Sequence, residues 1–256
     1  PTMKEEKNQL KKIEKICDNI STDLLTEYDS WLKIVWGMRN CDDISYEFAK
    51  KISMKASNYT DEGFDKVYKD TKYGNQIKVN TLYYYSKQSD SKKFFEICRD
   101  SDKNAHRELS VIDIANRFIE LVGDNIVCNT KQNAKEEDLL IWTGTKWRLD
   151  KSGDLITNMI EEVMLEYYTG FRDKVRKEHD ELASLKNSDN NERLAELQSQ
   201  HSDYEDAIDS INSITQITAI YRTVKRKSKI VEHDINFNML ESQNNNLHFK
   251  NGVLNV

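Results

Sequence analysis

The feature that most constrains this chain is its lack of proline, because Pro1 is the only proline among its 256 residues. A proline inside a helix removes a backbone hydrogen bond and clashes with the preceding turn, so a chain without one can form long, unbroken helices. Glycine, which suits many tight turns, is also scarce, with eight residues in all. The sequence therefore predicts a mainly α-helical protein.

The charge and hydropathy of the chain exclude several classes of protein. No apolar run approaches the ~20 residues needed to span a bilayer, so we expect no contact with a membrane. The net charge of -6 at pH 7 is unlike that of a wholly basic nucleic-acid-binding protein. Any nucleic-acid site must therefore be a local basic patch.

The cysteines and histidines show no pattern typical of a metal site or a disulfide framework. Cys17, Cys41, Cys98 and Cys128 are far apart, form no C-x-x-C pair and follow no apolar signal sequence. We expect all four to be reduced, buried thiols. The five histidines are scattered through polar surroundings, so we expect no bound metal.

Apolar residues recur at helical spacing through the first part of the chain. The repeats cover residues 10–17, 28–36, 46–52 and 64–68, and another apolar segment runs from residue 79 to residue 97. The sequence predicts one small helical domain over residues 1–100.

A second helical domain is predicted over residues 101–256. It opens with Ser110 and Asp113, which form a capping-box pattern at the start of a helix. Apolar residues at helical spacing predict three helices, over residues 111–121, 154–171 and 214–224.

Two β-hairpins are predicted within this second domain. Apolar residues at 139–142 and 147–149 flank a glycine-containing turn, which is typical of a hairpin. Asn251 and Gly252 form a turn signal between alternating apolar residues at the end of the sequence. A two-stranded hairpin is marginal without a surface to pack on, so we expect the sequence to stop before a further domain.

The segment from residue 172 to residue 206 is densely charged and carries only a thin apolar stripe. The stripe consists of Leu182, Leu185, Leu194 and Leu197, with an asparagine-rich break between its two halves. A solvated, antiparallel helical hairpin fits this pattern best. The same leucines could instead form a contact seam for a neighbouring chain, since a seam can be as narrow as about two residues in seven.

Motifs for catalysis are missing from the sequence. There is no G-x-x-x-x-G-K-[ST] loop for nucleotide phosphates, no H-E-x-x-H pair and no G-x-S-x-G nucleophile. Asp100 and Asp102, with His106 downstream, superficially fit the paired carboxylates that hold two metal ions in nucleotidyl transfer. Because they lie in a polar linker and not on an apolar strand, we expect a solvated loop and no catalytic residues.

One cluster of basic residues lies at the end of the helix predicted over residues 214–224. It consists of Arg222, Lys225, Arg226, Lys227 and Lys229, five positive charges in eight residues. Such a cluster is able to neutralise several phosphates of a nucleic acid. The alternative interpretation is a solvated helix end, where cations suit the negative end of the helix macrodipole.

Several short segments of the chain resemble a known family. Residues 28–38 (YDSWLKIVWGM), 45–49 (SYEFA), Ser53 and 81–83 (TLY) resemble the small helical domain found C-terminal to primases, of the second primase C-terminal type. In the second half, residues 142–147 (WTGTKW) and 249–254 (FKNGVL) are similar to the domain that precedes superfamily 3 helicases in poxvirus-type primase-helicases of large DNA viruses.

This resemblance implies that a primase module precedes the segment and that an ATP-driven hexameric helicase follows it. It implies no catalytic residue and no cofactor within the segment itself, while ATP and Mg²⁺ belong to the helicase domain. The implied partners are single-stranded DNA, bound weakly, and the protein's own primase and helicase domains within a homo-hexamer. The implied location is the viral replication factory in the cytoplasm of the infected host cell.

We therefore expect a non-catalytic central region that links primase to helicase and contacts single-stranded DNA. The alternative is a helical protein-interaction scaffold, whose charged segment at 172–206 recruits replication partners without touching DNA. A third, weaker interpretation treats Asp100 and Asp102 as nucleotidyltransferase ligands.

Overall fold

The chain is built mainly from helices, as its computed structural model shows. The structure describes residues 3–70, 72, 74, 77, 79–102, 105–122, 126–129, 138–142, 147–185, 190–227, 246–249 and 252–255. Within these residues it has eleven α-helices, one 3-10 turn and five short strands, which confirms the predicted mainly α fold class. No helix among them is long and apolar enough to cross a membrane.

The elements follow one another in this order along the chain. The helices are α1 (Met3–Asp18), α2 (Thr22–Thr26), α3 (Tyr28–Arg39), α4 (Tyr46–Ser53), α5 (Asp61–Lys69), α6 (Val79–Ser89), α7 (Ser91–Ser101), α8 (Val111–Val122), α9 (Asp154–Ser184), α10 (Asn191–Asn212) and α11 (Ile214–Lys227). The 3-10 turn is Ala105–Arg107, and the strands are β1 (Ile126–Asn129), β2 (Asp138–Trp142), β3 (Trp147–Asp150), β4 (Asn246–Phe249) and β5 (Gly252–Asn255). The helices α9 and α10, with 31 and 22 residues, are longer than the other described helices.

The described residues fall into two compact units. One comprises Pro1–Ser101, Leu121–Leu149 and Lys229–Val256, and the other comprises Asp102–Glu120 and Asp150–Ser228. This division groups most strand residues with α1 to α7. The domains predicted over residues 1–100 and 101–256 stay predictions, because compactness alone does not test them.

In the first unit, α3 and α6 form the centre of a helical core. The helix α3 contacts α2, α4, α5 and α6, while α6 also contacts α1 and α7. Each contributes fully buried side chains, among them Ile34 and Leu82. Burying such an aliphatic side chain stabilises a fold by about 1.5 to 3 kcal/mol. The helical repeats predicted between residues 10 and 68 are therefore helices of one packed core.

Side-chain caps explain where several of these helices begin. Ser21, Ser45 and Thr60 each precede a helix and accept a hydrogen bond from the backbone N–H three residues later. Such caps satisfy N–H groups that have no partner within the helix. The sequence does not predict the short helix α2 after Ser21, because its five residues are too few to show a periodic pattern.

Two small sheets also belong to the first unit. The strands β1 and β2 pair in antiparallel register, and β3 follows in the strand order β1-β2-β3. The hairpin predicted from residues 139–149 is confirmed, whereas β1 is a strand that the sequence does not predict. The strands β4 and β5 pair antiparallel with Phe249 opposite Gly252, which confirms the terminal hairpin and makes Gly252 the first residue of β5. Asn251 lies outside the described residues.

The second unit contains a long helical hairpin. The helix α9 continues through Phe171 to Ser184, so the helix predicted over residues 154–171 and the first half of the charged segment are one helix. The helix α10 runs antiparallel to it, because Tyr168 contacts Tyr204 near one end and Glu178 contacts Arg193 towards the other. The helical hairpin predicted over residues 172–206 is thus confirmed, although most of its asparagine-rich break lies outside the described residues.

The start of α9 is fixed by a buried carboxylate. Asp150 is 5% exposed and accepts hydrogen bonds from the backbone N–H groups of Gly153, Leu155 and Ile156. A carboxylate at this position satisfies free N–H groups and complements the positive end of the helix dipole. Gly153 has a left-handed conformation, with φ of 84°, which glycine adopts without steric cost. Asp150 and Gly153 together hold a tight turn directly before the helix.

Candidate nucleic-acid interface

The helix α11 has one buried face and one exposed face, and the predicted basic cluster lies near its C-terminal end. Ile217, Ile220 and Val224 are buried, and α11 packs against α9 and α10. Arg222 and Arg226, four residues apart, are exposed and follow one another along the outer face. Helical geometry therefore presents both guanidinium groups to solvent.

The members of the basic cluster differ in their contacts. Arg222, Lys225 and Arg226 form no hydrogen bond or ion pair with any other residue that the structure describes. Lys227 donates a 2.6 Å hydrogen bond to Asn116 Oδ1 on α8. Lys229 lies outside the described residues. Three cations thus lie close together without a protein partner in the described chain, and we call these three the α11 patch.

The helix dipole explains only part of this arrangement. Lys225, Arg226 and Lys227 occupy the last turn of α11, where an exposed cation gains about 0.3 to 1 kcal/mol from the macrodipole. That effect falls off within the last turn of a helix. Arg222 lies more than a turn before the end of α11, so the patch extends beyond the reach of the dipole.

A close contact between Tyr221 and Gly153 positions α11 against the start of α9. A Cβ atom at residue 153 would lie 2.8 Å from Tyr221 Cζ, which is too close for any side chain. Glycine alone fits against the ring and also adopts the positive φ of this turn without strain. Because Tyr221 directly precedes Arg222, this contact also fixes the backbone from which the α11 patch begins.

The sequence predicts a solvated loop around Asp102. In the structure, however, Asp102 takes part in a partly buried ion pair. Its carboxylate pairs with the Arg117 guanidinium, accepts a 2.6 Å hydrogen bond from the Tyr167 hydroxyl, and is only 12% exposed. Burial raises the pKa of Tyr167 far above its usual value, so the hydroxyl remains protonated and donates. No group of three or more His, Cys, Asp or Glu side chains among the described residues could hold a metal ion. These contacts give Asp102 a structural role and do not support the nucleotidyltransferase interpretation.

The leucines of the predicted seam lie at different depths. Leu197 is fully buried, Leu182 and Leu194 are half-buried, and Leu185 is 68% exposed. Leu197 packs inside its own chain, so it is not available to a neighbouring chain and its place in the seam is corrected here. A seam formed by the other three leucines stays a prediction.

The sequence does not predict a groove that lies between α9 and α10. Arg172, Arg176 and His179 line it from α9, Gln198 and His201 line it from α10, and its volume is about 430 Å³. The three α9 residues are spaced i, i+4 and i+7, which places them on one face of the helix. That spacing is visible in the sequence, but it marks a groove only once α10 lies alongside.

Three of the four cysteines have side chains that the structure describes. Cys17, Cys41 and Cys98 are buried and form no disulfide with any other described residue. Burial raises the pKa of the Cys17 and Cys41 thiols, which keeps both in the unreactive protonated form. The prediction of reduced, buried thiols is confirmed for these three, and the side chain of Cys128 lies outside the described part of the chain.

Comparison with known proteins identifies a family for one segment of the chain. Comparison with curated proteins gives no match. The resemblance of residues 142–147 and 249–254 to a helicase-preceding domain is not tested by this comparison and stays a prediction. Residues 13–86, which extend from α1 into α6, match the family Primase C terminal 2 (PriCT-2), so the resemblance of the first domain is confirmed. This segment is therefore a primase-associated module, which indicates a role in DNA replication.

Proposed function

We propose that the chain is the non-catalytic central region of a poxvirus-type primase-helicase of a large DNA virus. It links a primase module to a hexameric superfamily 3 helicase and contacts single-stranded DNA. The observation that carries this proposal is the primase-associated match over residues 13–86. The partners of the chain are then its own primase and helicase domains, and the helicase binds ATP and Mg²⁺. The machine works in a replication factory in the cytoplasm of the infected cell.

The α11 patch supports the DNA contact in this proposal. Arg222, Lys225 and Arg226 carry three charges that no other described residue neutralises. Each phosphate they contact releases condensed counterions, so binding weakens as the salt concentration rises. The chain as a whole carries a net charge of -6, which repels DNA away from the patch. The proposed binding through α11 is therefore weak and independent of sequence.

A variant in which Arg222, Lys225 and Arg226 are all replaced by Gln tests this interaction. The logarithm of the affinity falls linearly with the logarithm of the salt concentration, and we call the steepness of this line the salt slope. Each phosphate that the variant no longer binds should reduce the salt slope by roughly 0.7, so the loss of all three side chains should reduce it by about two. Fluorescence anisotropy of a labelled oligo(dT), titrated at several NaCl concentrations, measures that slope.

The matched control replaces Lys11, Lys15 and Lys66 by Gln. These lysines are exposed in the first unit, and their side chains have no hydrogen-bond or ion-pair partner among the described residues. The control therefore removes the same charge from another place and should keep the salt slope of the unchanged chain. Equal slopes for all three proteins would refute DNA contact through α11.

A helical protein-interaction scaffold is the second candidate function. Leu185 favours it, because this leucine is 68% exposed at the end of α9. In this function the hairpin binds replication partners and the chain does not touch DNA. If the patch variant leaves oligo(dT) binding unchanged while the chain still associates with its own primase and helicase domains in gel filtration, the scaffold function is the better account.

A further inference from the structure

The groove between α9 and α10 contains a positive charge that the chain itself does not neutralise. Glu205 is the acidic residue in its described lining, and it is already paired, because Arg172 Nη1 lies 3.2 Å from Glu205 Oε1. Arg176, in contrast, has no hydrogen-bond or ion-pair partner in the part of the chain that the structure describes. The groove therefore holds one paired guanidinium and one guanidinium whose donors are all available.

The spacing of the two arginines favours an anion at the α9 side of the groove. Arg172 and Arg176 are four residues apart, so their charges are neighbours across one helical turn. Like charges at this spacing repel each other. Asp173 and Glu205 pair with Arg172, but no described residue pairs with Arg176, so an anion bound here would reduce the repulsion. A phosphate group fits this position well, because its oxygens match the planar donor geometry of a guanidinium.

The remaining lining suits a group larger than phosphate. The volume of about 430 Å³ is within the range of small-molecule sites and exceeds what one tetrahedral oxyanion requires. The half-buried rings of His179 and His201 line the groove from α9 and α10 respectively, while Leu197 lies fully buried beneath it. Flat rings suit a nucleobase or a sugar. Gln198 adds an amide that both donates and accepts hydrogen bonds.

We propose that this groove binds a nucleoside phosphate. Its phosphate contacts Arg172 and Arg176, and its base or sugar packs against the two imidazole rings. A free nucleotide and a nucleotide within single-stranded DNA offer the same chemistry to these residues. The site goes beyond the proposed function, because it uses side chains of α9 and α10 and none of the cations of the α11 patch.

Titration calorimetry of the 256-residue chain with thymidine 5′-monophosphate tests the proposal by comparing Arg176→Gln with Lys177→Gln. Lys177 is the next residue on α9, is 79% exposed and does not line the groove, so its replacement removes the same charge from the same helix. Arg176→Gln should weaken binding about tenfold or more, as expected for the loss of one charge-assisted hydrogen bond. Lys177→Gln should leave the affinity nearly unchanged.

A further variant separates charge from geometry. Arg176→Lys keeps the positive charge but loses the planar fork of donors, so its affinity should lie between those of Arg176→Gln and the unchanged chain. Arg176 and Lys177 are both exposed, so the melting temperatures of all three variants should match that of the unchanged chain. Weaker affinity at an unchanged melting temperature then reports on ligand binding and not on folding.

Anisotropy of labelled oligo(dT) distinguishes the two sources of the nucleotide. If Arg176→Gln binds thymidine 5′-monophosphate more weakly, with or without a loss for oligo(dT), the groove is a site for free nucleotide. If Arg176→Gln binds only oligo(dT) more weakly, the groove is a site for a nucleotide within a strand. Unchanged affinity for both probes, or equal losses in Arg176→Gln and Lys177→Gln, would overturn the proposal. If the α11 patch variant no longer binds oligo(dT) while Arg176→Gln changes neither probe, the proposed function stands and the nucleotide site does not exist.

Discussion

The helical core around residues 13–86 and the distal end of the α9–α10 hairpin are both helical, yet different interactions stabilise them. In the core, Ile34 and Phe64 are fully buried. The buried Asn19 amide is also paired, because it donates hydrogen bonds of 3.0 Å to both the Ser86 carbonyl and the Ser86 hydroxyl, whereas the buried Trp36 Nε1 has no partner among the described residues. Apolar burial and paired buried polar groups together give this region a stability that depends little on salt.

Ion pairs hold the distal end of the hairpin. Arg193 contacts Glu178 at 2.6 Å and Glu196 at 2.7 Å, but its side chain is 45% exposed. Exposed ion pairs contribute little, because water and salt screen them. Leu197 is the nearest fully buried side chain to this network in the α10 sequence. We therefore expect these equally regular helices to differ in stability, because burial and not helicity sets the strength of packing.

The largest effect is expected when the core loses an aromatic ring. Phe64→Ala should lower the free energy of unfolding by about 3 to 5 kcal/mol, the cost typical of a large cavity in a packed core. The ring centroid of Phe64 lies 5.5 Å from that of Tyr46 and 5.3 Å from that of Tyr68, so its removal takes a packing partner from both rings. Urea denaturation followed by circular dichroism measures the change.

The matched change in the hairpin is Leu185→Ala. Leu185 is 68% exposed, so its truncation should alter the free energy of unfolding by no more than about 0.5 kcal/mol. Comparable losses for Phe64→Ala and Leu185→Ala would contradict the contrast between the two regions.

Arg193→Gln should lower the free energy of unfolding less than Phe64→Ala does, and the size of its effect should depend on salt. This substitution removes both ion pairs of Arg193, and it should cost at most about 1 kcal/mol at low salt, since the pairs are exposed. Raising the NaCl concentration should shrink the difference between variant and unchanged chain, because the charges are then screened. Hydrogen exchange at the backbone amides around Glu178 and Arg193 measures local stability at both salt concentrations. A difference that is independent of salt would show that packing, and not charge, holds this end.

The smallest effect is expected from Asp65→Asn, which tests whether an exposed ion pair in the core segment also contributes little to stability. In the core segment, hydrogen bonds from Lys69 and Tyr46 lower the pKa of Asp65. A lowered pKa in the folded state means that these contacts stabilise the protein above the ordinary aspartate pKa and that this contribution is lost as pH falls through the folded pKa. The melting temperature of Asp65→Asn should therefore lie below that of the unchanged chain near neutral pH, and the gap should close in acid. A gap that persists to about pH 2 would indicate a role for Asp65 other than as a charge.

Local signals in the sequence account for much of this fold. Ser110 and Asp113 illustrate this, because each backbone N–H donates a 3.2 Å hydrogen bond to the side chain of the other residue at the start of α8. Both partners are three residues apart, so the sequence alone contains the whole capping box. The apolar repeats of the first domain are similarly local, and the match over residues 13–86 agrees with the segments that resemble a primase-associated domain.

Features that depend on distant residues could not be predicted in this way. The sequence predicts helix on both sides of Phe171, but it does not predict that α9 runs through this residue to Ser184 as one helix. The four residues of β1 form a strand because β2 pairs with them. The groove requires α9 and α10 side by side, and the partly buried ion pair of Asp102 requires Arg117 on α8. None of these partners is marked by local spacing.

The length of α9 has a mechanical consequence. Its 31 residues extend about 46 Å, at a rise of about 1.5 Å per residue. A rotation of about ten degrees at the end capped by Asp150 therefore displaces the opposite end by about 8 Å. Asp150 and Gly153, which form the turn before α9, therefore also set the position of Ser184 at its far end.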